Sequence, residues 1–380
     1  MQILPDFEIN FNFFLFLFFT VNVSLHLFFI LFFYTRLIFF KIKNPKEEII
    51  SKLPPVSIII AARNESDNLF NNLPFILEQD YPEFEVIVVN HQSIDESYHI
   101  LNAYKMKYPN LKVVEIEKSK HMRIGKKLPI TLGIKSAKFE HLLLTDADCK
   151  PNSSKWILQM ATGFVYQKDL ILGFSPYNKQ NTFINKIIRF DAVFIAVNYF
   201  SLALANVPYM GVGRNLGYTK SLFKSVNGFK SHYAISSGDD DLFVQEVSTK
   251  ADIQIVIHED TYVTSEPKND LSSWVLQKTR HFTTSTQYTV IKKILLGIYP
   301  TTMIFALVSF VYLIFDLDYS IILITVFVFL ILFKWLILGF CFKKLRQKEL
   351  IKWIPILDLV NTFLIPIIYY TTDFKNTKWK

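Results

Sequence analysis

The sequence is poor in cysteine, and this excludes two classes of protein. Only two of its 380 residues are cysteines. Cys149 stands beside an acidic pair, and Cys341 lies in an apolar stretch. Two residues placed in this way make neither a disulfide framework nor a metal knuckle. The chain is therefore neither a disulfide-stabilised scaffold nor a zinc-knuckle protein.

The sequence also lacks the basic stripe with interleaved aromatic residues that marks a nucleic-acid interface. The formal net charge is +8, but basic residues at the ends of apolar runs account for it. These residues are Arg36, Lys41, Lys43, Lys46, Lys292, Lys293, Lys343, Lys344, Arg346 and Lys348. We therefore expect no nucleic-acid partner.

Apolar residues make up 51% of the chain, and 37 of them are phenylalanines. A membrane-spanning helix needs about 20 apolar residues. Three runs are long enough to span, namely 11–40, 294–315 and 321–342. A fourth run, 351–370, contains Lys352, Asp358, Asn361 and two prolines. It either spans the membrane or lies in the interface with its polar side exposed to water.

The basic residues predict the orientation in the membrane. They follow the first run, precede the second and follow the third, whereas the loop between the second and third holds Asp316 and Asp318 and no basic residue. Basic flanks stay in the cytoplasm, so we expect a multi-pass protein of the cytoplasmic (inner) membrane with a cytoplasmic central domain. The tail after the last run contains Lys375, Lys378 and Lys380. If the last run spanned the membrane, these lysines would lie on the side opposite the cytoplasm, so they slightly favour an interfacial last run.

We predict three regions: an N-terminal membrane anchor at 1–43, a cytoplasmic domain at 44–290, and a C-terminal membrane region at 291–380 with two spans and a third spanning or interfacial helix. A cleaved signal peptide is the alternative for the first region. It is disfavoured because Asp6 and Glu8, not basic residues, precede a run that is also too long. A transporter is disfavoured because the spans lack a paired repeat.

Strands and helices alternate through the central domain. Apolar runs predict strands at 56–60, 84–90, 111–116 and 142–144, with helices between them. This alternation is typical of a doubly wound α/β sheet, in which ligands bind at the carboxyl ends of the strands. Three polar clusters fall at those ends and should converge on one edge, namely 61–65, 90–95 and 146–148.

The fourth strand runs into Asp146-Ala147-Asp148. Alternate residues of a strand point the same way, so both carboxylates could face one spot. They would repel each other there unless a cation lay between them. Mg²⁺ accepts one or two protein carboxylates and completes its shell with water and substrate phosphates. The pair therefore indicates a metal–diphosphate site, with a simple turn or helix cap as the alternative.

Six short motifs follow one another along the central domain. They are Val56–Glu65, Val89–Asp95, Gly125–Ile130, Asp146–Asp148, Gly238–Leu242 and Gln277–His281. In this order they resemble the V-S-[IV]-I-[IV]-x-x-[RY]-N-E, V-D-D-x-S-x-D, G-K-x-x-A-[LI], Asp-x-Asp, late acidic and Q-x-x-R-W motifs of membrane-anchored family 2 glycosyltransferases. Two departures are Asn90-His91 in place of an aspartate pair and His281 in place of tryptophan.

The resemblance implies the GT-A nucleotide-diphospho-sugar transferase fold, a Rossmann-like doubly wound mixed sheet, with flanking transmembrane helices. It also implies a metal-dependent, inverting transfer from a nucleoside-diphosphate sugar (a UDP- or GDP-sugar) to a lipid-linked, glycan or other membrane-proximal acceptor. The substrate-binding residues that it implies are Ala61, Arg63, Asn64, Glu65, His91, Asp95, Lys126, Asp146, Arg214, Gln277, Arg280 and His281.

By the same resemblance, Asp148 chiefly and Asp146 would hold Mg²⁺ or Mn²⁺, and the catalytic base would lie among Asp239, Asp240 and Asp241. Crowded carboxylates raise one another's pKa, which suits a base. The first two of the three are favoured but not separated, and helix capping is the alternative. For Lys126 the alternative is a solvated surface lysine.

Two other functions remain open. A processive polysaccharide synthase shares the Q-x-x-R motif, although three or four spans are few for a polymer channel. A catalytically silent GT-A-like binding module would explain Asn90-His91, but the intact acidic motifs argue against it.

Overall fold

The structure is a computed structural model that describes residues 11–42, 47–117, 125–235, 237–315 and 320–371. Several residues discussed above lie outside this part of the chain. They are Asp6, Glu8, Lys43, Lys46, Asp316, Asp318, Lys375, Lys378 and Lys380.

The described residues form helices of very different lengths. They are α1 (Phe11–Phe29), α2 (Thr35–Phe39), α3 (Glu47–Ile50), α4 (Ser66–Leu77), α5 (Ser97–Lys107), α6 (Lys127–Ser136), α7 (Trp156–Val165), α8 (Phe183–Leu204), α9 (Lys220–Ser225), α10 (Asp241–Val247), α11 (Leu271–Phe282), α12 (Val290–Leu313), α13 (Ser320–Lys344) and α14 (Ile354–Thr371). A π-helical turn, Ile30–Tyr34, joins α1 to α2, and a 3₁₀ turn, Lys348–Trp353, precedes α14.

The strands are short and mostly buried. They are β1 (Val56–Ala62), β2 (Phe84–His91), β3 (Leu111–Ile116), β4 (His141–Asp146), β5 (Cys149–Pro151), β6 (Leu170–Leu172), β7 (Leu216–Thr219), β8 (Ile253–Ile255) and β9 (Val263–Ser265). The described residues divide into two compact units. The globular unit covers the described part of Phe40–Tyr288 and of Thr371–Lys380, and the helical unit covers that of Met1–Phe39 and Thr289–Tyr370.

A seven-stranded sheet in the order β3-β2-β1-β4-β7-β6-β8 forms the centre of the globular unit. The first four strands in this order are parallel, and β7 is antiparallel to both β4 and β6. The predicted doubly wound mixed sheet is confirmed. All seven residues of β1 are buried, as expected for a central strand covered on both faces.

The two faces of β1 pack against different helices. Ile58 and Ile60 share a core cluster with Leu73 of α4, whereas Ile59 lies under α6. At Gly133 of α6 an added Cβ would lie 2.6 Å from Ile59 Cγ2. Glycine therefore lets α6 approach the sheet closely. Packing by α4 on one face and α6 on the other holds the carboxyl end of β1 in place.

The chain runs from β1 to β2 and β3 on one side, then returns to β4 on the other. Strand order thus reverses between β1 and β4, where open α/β sheets bind ligands. In the register, Ala61 of β1 lies beside Asp146 of β4, and Ala62 lies beside Asn90 of β2. The predicted convergence of three polar clusters on one edge is confirmed.

Five described helical segments are long and apolar enough to cross a membrane: Phe11–Phe39, Phe183–Leu204, Val290–Leu313, Ser320–Lys344 and Lys348–Thr371. Four match the predicted runs. The additional one, α8, belongs to the globular unit and is largely buried there. In the last segment Asp358 is 1% exposed and Asn361 is 7% exposed. Lys352 of the same segment is exposed, so the choice between a spanning and an interfacial helix stays a prediction.

Candidate active site

The acidic pair lies at the end of β4. Asp146 is the last residue of this strand and Cys149 the first of β5, so Asp148 lies in the turn between them. One ligand atom from each of these three residues lies within 4.8 Å of the others. The carboxylates therefore meet at one spot as predicted, but the turn brings them together, not the alternation of a continuous strand.

The chemistry of this group fits a hard cation. Burial, together with the charges of Asp148 and Asp146, raises the pKa of the Cys149 thiol, so the thiol stays protonated and is a poor metal ligand. It donates instead to Asp148 Oδ1 at 3.5 Å. Two carboxylates remain, and carboxylate oxygens suit Mg²⁺ and Mn²⁺. Asp148 also lines a cavity of about 380 Å³, which leaves room for a ligand beside it.

Lys126 joins the two acidic motifs. Its Nζ lies 2.7 Å from Asp146 Oδ1 and 3.2 Å from Asp239 Oδ2, and the side chain is 17% exposed. The alternative of a solvated surface lysine is therefore wrong. Burial opposes the charge of Asp146, but Lys126 outweighs it and lowers the pKa of Asp146, with help from Arg214 and Arg280. Both acidic motifs thus belong to one site.

The acidic triplet separates into distinct environments. Asp240 Oδ2 accepts from the Gly213 N–H at 2.9 Å, and Oδ1 accepts from the Asp241 N–H at 2.8 Å. Burial and the charges of Asp239 and Asp241 raise the pKa of Asp240 to about 7. Crowding therefore produces the raised pKa that suits acid–base chemistry near neutral pH.

Asp241 has a structural environment. Its Oδ2 accepts from the Thr284 and Tyr288 hydroxyls, the latter at 2.7 Å, and its Oδ1 accepts from the Leu242 N–H at 2.8 Å. The capping alternative thus holds for Asp240 and Asp241 at the start of α10. The set of candidate bases narrows to Asp239 and Asp240.

Gly213 packs closely against these carboxylates. An added Cβ would lie 3.3 Å from Asp239 Oδ2, from Asp240 Oδ2 and from Lys126 Nζ. This is a tighter approach than most side chains tolerate. This close approach to the acidic residues favours a role for Gly213 in the site over a plain turn.

Arg214 and Gln277 meet at one tyrosine. The guanidinium of Arg214 lies 4.3 Å from the Tyr177 ring centroid and donates to Ser265 Oγ at 3.0 Å and the Ser175 carbonyl at 2.9 Å. Gln277 Nε2 donates to the Tyr177 hydroxyl at 3.3 Å. This network fixes the β7 end of the site relative to α11.

On α11, Arg280 contributes to the lowered pKa of Asp146, so its guanidinium carries positive charge toward the acidic pair. The guanidinium has no hydrogen-bond partner among the described residues, which leaves it available to an anion. His281 is exposed. Gln277 and Arg280 are one turn apart, but Gln277 is bound to Tyr177 and only Arg280 is free for substrate.

The ends of β1 and β2 carry the remaining candidates. Ala61 is buried in β1, and the Arg63 Nε and Nη1 atoms are buried with no hydrogen-bond partner among the described residues. His91 is fully buried, and burial together with Arg63 lowers its pKa. A neutral imidazole beside an unsatisfied guanidinium gives this edge hydrogen-bond donors for a ligand.

Three other candidates connect loops. Asn64, at φ +52°, accepts from the Ile94 N–H through Oδ1 at 2.9 Å. Glu65 is buried and accepts from Asn68. Asp95 accepts from the Ser66 N–H at 2.9 Å and the Ser97 N–H at 3.1 Å. Burial opposes its charge, yet these hydrogen bonds lower the pKa of Asp95. The geometry favours positioning roles for this group.

The sequence profile of glycosyl transferase family 21 matches residues 21–380, nearly the whole chain. The chain belongs to glycosyl transferase family 21. The resemblance to a membrane-anchored glycosyltransferase is confirmed, and the protein is a glycosyltransferase.

Curated relatives of this family 21 protein match only part of their own length. A poly-beta-1,6-N-acetyl-D-glucosamine synthase of Staphylococcus epidermidis is 32% identical over 93 residues, 24% of this chain and 21% of that protein. A poly(ribitol-phosphate) beta-glucosyltransferase of Bacillus spizizenii is 34% identical over 120 residues, 31% of this chain and 18% of that protein. The chain thus spans about a fifth of these relatives.

A solved structure shares the fold. The mannosyltransferase PcManGT of Pyrobaculum calidifontis, in complex with GDP-Man and Mn²⁺, covers 92% of this chain and 98% of its own with a TM-score of 0.55 at 16% identity. The predicted GT-A fold is confirmed by this likeness together with the mixed sheet.

The sequence did not reveal several residues that support the site of this family 21 enzyme. Lys278 of α11 and Asp191 of α8 form a buried ion pair with Nζ–Oδ2 at 2.9 Å. Lys127 donates to the carbonyls of His232 and Ile235, ahead of the acidic triplet, and burial lowers its pKa to about 8. Only the position of Lys127 beside Lys126 in the G-K motif was a usable signal.

Proposed function

We propose that this family 21 glycosyltransferase is a membrane-bound, metal-dependent, inverting enzyme. It moves a sugar from a nucleoside-diphosphate sugar to a lipid-linked or membrane-proximal acceptor. One observation carries the proposal: Lys126 bridges Asp146 at the end of β4 and Asp239 before α10. The groups for the leaving diphosphate and for the attacking hydroxyl are thereby within reach of one reacting centre.

The leaving-group side consists of Asp146, Asp148, Lys126 and Arg280. The two carboxylates would hold a divalent ion, which supplies Lewis-acid stabilisation of the departing diphosphate. Besides the ion, the side chains of Lys126 and Arg280 add positive charge, and the arginine guanidinium suits bidentate contact with a phosphate. The negative charge that develops as the anomeric C–O bond breaks is therefore met by fixed cations.

The attacking side consists of Asp239 and its neighbours. A base must keep an oxygen open to the acceptor hydroxyl. Both oxygens of Asp240 accept backbone N–H groups, whereas Asp239 Oδ1 accepts no hydrogen bond from the described residues. Asp239 thus takes the proton while the hydroxyl oxygen attacks the anomeric carbon directly, which inverts its configuration. Asp240 holds the Gly213 loop against it.

The nucleotide and the membrane placement complete the proposal. The donor is a UDP- or GDP-sugar, and the fold neighbour with GDP-Man supports the class. Arg63 and His91 would contact the nucleotide. The regions 1–43 and 291–380 hold the enzyme in the cytoplasmic membrane, with 44–290 facing the cytoplasm, because the basic flanks of the runs favour that side.

A screen of nucleotide sugars with Mn²⁺ tests the function. A donor that binds the native state raises the unfolding temperature of the purified full-length protein. We expect Asp148→Asn to abolish the Mn²⁺-dependent shift and to lower the transfer rate at least about 100-fold. The control is Asp252→Asn, a surface carboxylate with 72% side-chain exposure, which should behave as wild type. Unchanged Mn²⁺ dependence in Asp148→Asn would contradict the metal assignment.

A polysaccharide synthase is the second candidate. The relative from S. epidermidis carries that activity in its name, although only 21% of that protein is covered. Product length with a radiolabelled donor separates the two. One sugar added per acceptor supports single transfer, and a long polymer supports the synthase.

A further inference from the structure

Lys127 is a buried cation whose direct partners are neutral. It is the first residue of α6 and is 3% exposed. Its Nζ donates to the His232 carbonyl at 2.5 Å and to the Ile235 carbonyl at 3.0 Å. It takes part in none of the ion pairs among the described residues. Burying a charge without an ion pair costs free energy, so a lysine is an unusual residue for a position that only packing would fill.

The two carbonyls belong to the segment that leads to Asp239. Ile235 also donates its N–H to the His232 carbonyl at 3.1 Å, so Lys127 binds both ends of one tight turn. Asp239 follows Ile235 by four residues, and Gly238 between them has φ +93°. Glycine is conformationally permissive, so the direction of Asp239 depends on what fixes the chain before it. Lys127 supplies such a fixed point.

Lys127 also lies in the field of the acidic triplet. Burial lowers the pKa of Lys127 to about 8, against the opposing charges of Asp239, Asp241 and Asp240, so the ammonium form prevails at pH 7. Burial, together with Lys127, lowers the pKa of His232 to about 4, so this imidazole adds no charge there. The titratable groups that face the triplet are Lys126, Lys127, Tyr209, Tyr218, His232 and Tyr288. The two lysines of α6 therefore supply positive charge beside it.

These two adjacent lysines divide their contacts. Lys126 bridges Asp146 and Asp239 and so touches both halves of the site. Lys127 contacts the side of the base, where two of its three ammonium hydrogens are donated to carbonyls. We propose that Lys127 is a positioning residue for Asp239, because it fixes the chain ahead of this base and holds a positive charge beside it. The inference rests on the proposed function, in which Asp239 takes the proton of the attacking hydroxyl.

A split between donor binding and turnover tests this role. The assay uses the full-length protein with UDP-glucose or GDP-mannose, Mn²⁺ and water as the acceptor. Water loses a proton to Asp239, its oxygen attacks the anomeric carbon, and the nucleoside diphosphate leaves with the electron pair of the broken C–O bond. We expect Lys127→Met to bind the donor within about twofold of wild type and to lower kcat at least about tenfold. Wild-type kcat, or a loss of donor binding as large as the loss of kcat, would overturn the proposal.

The pH profile separates a positioning role from simple packing. A nearby cation favours the ionised form of a carboxylate, so the loss of Lys127 should move the acidic limb of the kcat/KM profile to higher pH by at least about 0.5 unit. Lys127→Arg keeps the charge and should recover most of kcat and the wild-type limb. Lys135→Met, at an exposed position of the same helix, is the control and should behave as wild type. A lower kcat with an unmoved limb would mean that Lys127 only supports packing, and the proposal would be wrong.

Two further variants keep the test decisive. If Lys127→Met does not fold, Lys127→Gln removes the charge while keeping a donor, and the same shift of the acidic limb is expected. Asp239→Asn separates this inference from the proposed function. If Asp239→Asn releases the nucleoside diphosphate at the wild-type rate, the base assignment is wrong and the role of Lys127 falls with it. If Asp239→Asn loses that activity while Lys127→Met keeps it, the proposed function stands and only the role of Lys127 is wrong.

Discussion

At the scale of single residues, the site depends on the positions of a few charges. Asp146 and Asp239 are 93 positions apart in the sequence, yet one ammonium group touches both. The motifs predicted each carboxylate as a candidate. They did not predict the bridge, because it depends on where α6 places Lys126. Asp241 shows the reverse case, since its three partners, Thr284, Tyr288 and Leu242, turn a candidate base into a structural group.

Asp240 predicts a pH dependence of stability. Its pKa is raised from 3.8 to about 7 in the folded protein, so the folded state binds a proton more tightly than the unfolded state. Stability from this group is full below about pH 4 and is lost as the pH rises toward about 7. Asp240→Asn should remove this loss. We expect its unfolding temperature to exceed that of wild type by at least about 2 °C at pH 7.5, with no such gain at pH 4. An equal difference at both pH values would contradict the assignment.

Gly213 predicts a defect in activity without a defect in folding. An added methyl group crowds Asp239, Asp240 and Lys126 at 3.3 Å, and these groups must shift to receive it. Gly213→Ala should lower kcat/KM about tenfold, or about 1.4 kcal/mol of transition-state stabilisation. Gly125→Ala is the matched control, because nothing lies within 4 Å of its Cβ position. Equal kcat/KM values for the two variants would exclude a role for Gly213 in the site.

At the scale of elements, apolar runs predicted β1, β2, β3 and β4, with helices between them. Such elements are local, because a buried strand needs only a short run of apolar residues. α8 was not predicted, although it is as apolar as a membrane span. Only tertiary packing assigns it to the globular unit. Its ion pair from Asp191 to Lys278 spans 87 positions, so no local pattern reveals it.

This ion pair predicts a coupled effect on stability. Lys278→Met alone leaves Asp191 buried without its partner, which should cost about 3–5 kcal/mol. The double variant Lys278→Met with Asp191→Leu should recover most of that loss, because apolar residues of similar size often replace buried pairs. Denaturant unfolding of both variants measures the difference. If the double variant is as unstable as the single one, the pair does not carry the packing of α11.

At the scale of the whole molecule, the sequence predicted a domain flanked by membrane segments, since long apolar runs are the strongest signal that a sequence carries. The sequence left open whether the last apolar segment spans the membrane or lies in the interface. The burial of Asp358 with Lys334 is absent from the sequence because it depends on which helices are neighbours, and the placement itself stays a prediction.

The proposed cytoplasmic placement of residues 44–290 predicts which side of the membrane a probe can reach. Met106 of α5 is 86% exposed, and both native cysteines are buried. Met106→Cys should therefore react with a membrane-impermeant maleimide in inverted vesicles and not in right-side-out ones. Labelling from the outer side would reverse the orientation.

The central claim is a divided site, in which Asp146 and Asp148 serve the leaving group and Asp239 serves the attacking one. The most direct test compares donor binding and sugar transfer in Asp239→Asn and Asp148→Asn. We predict that Asp239→Asn binds donor with Mn²⁺ within about twofold of wild type while transfer falls on the order of 10²- to 10⁴-fold. Asp148→Asn should lose metal-dependent donor binding itself. Wild-type transfer by Asp239→Asn, or equal loss of donor binding in both variants, would contradict this account.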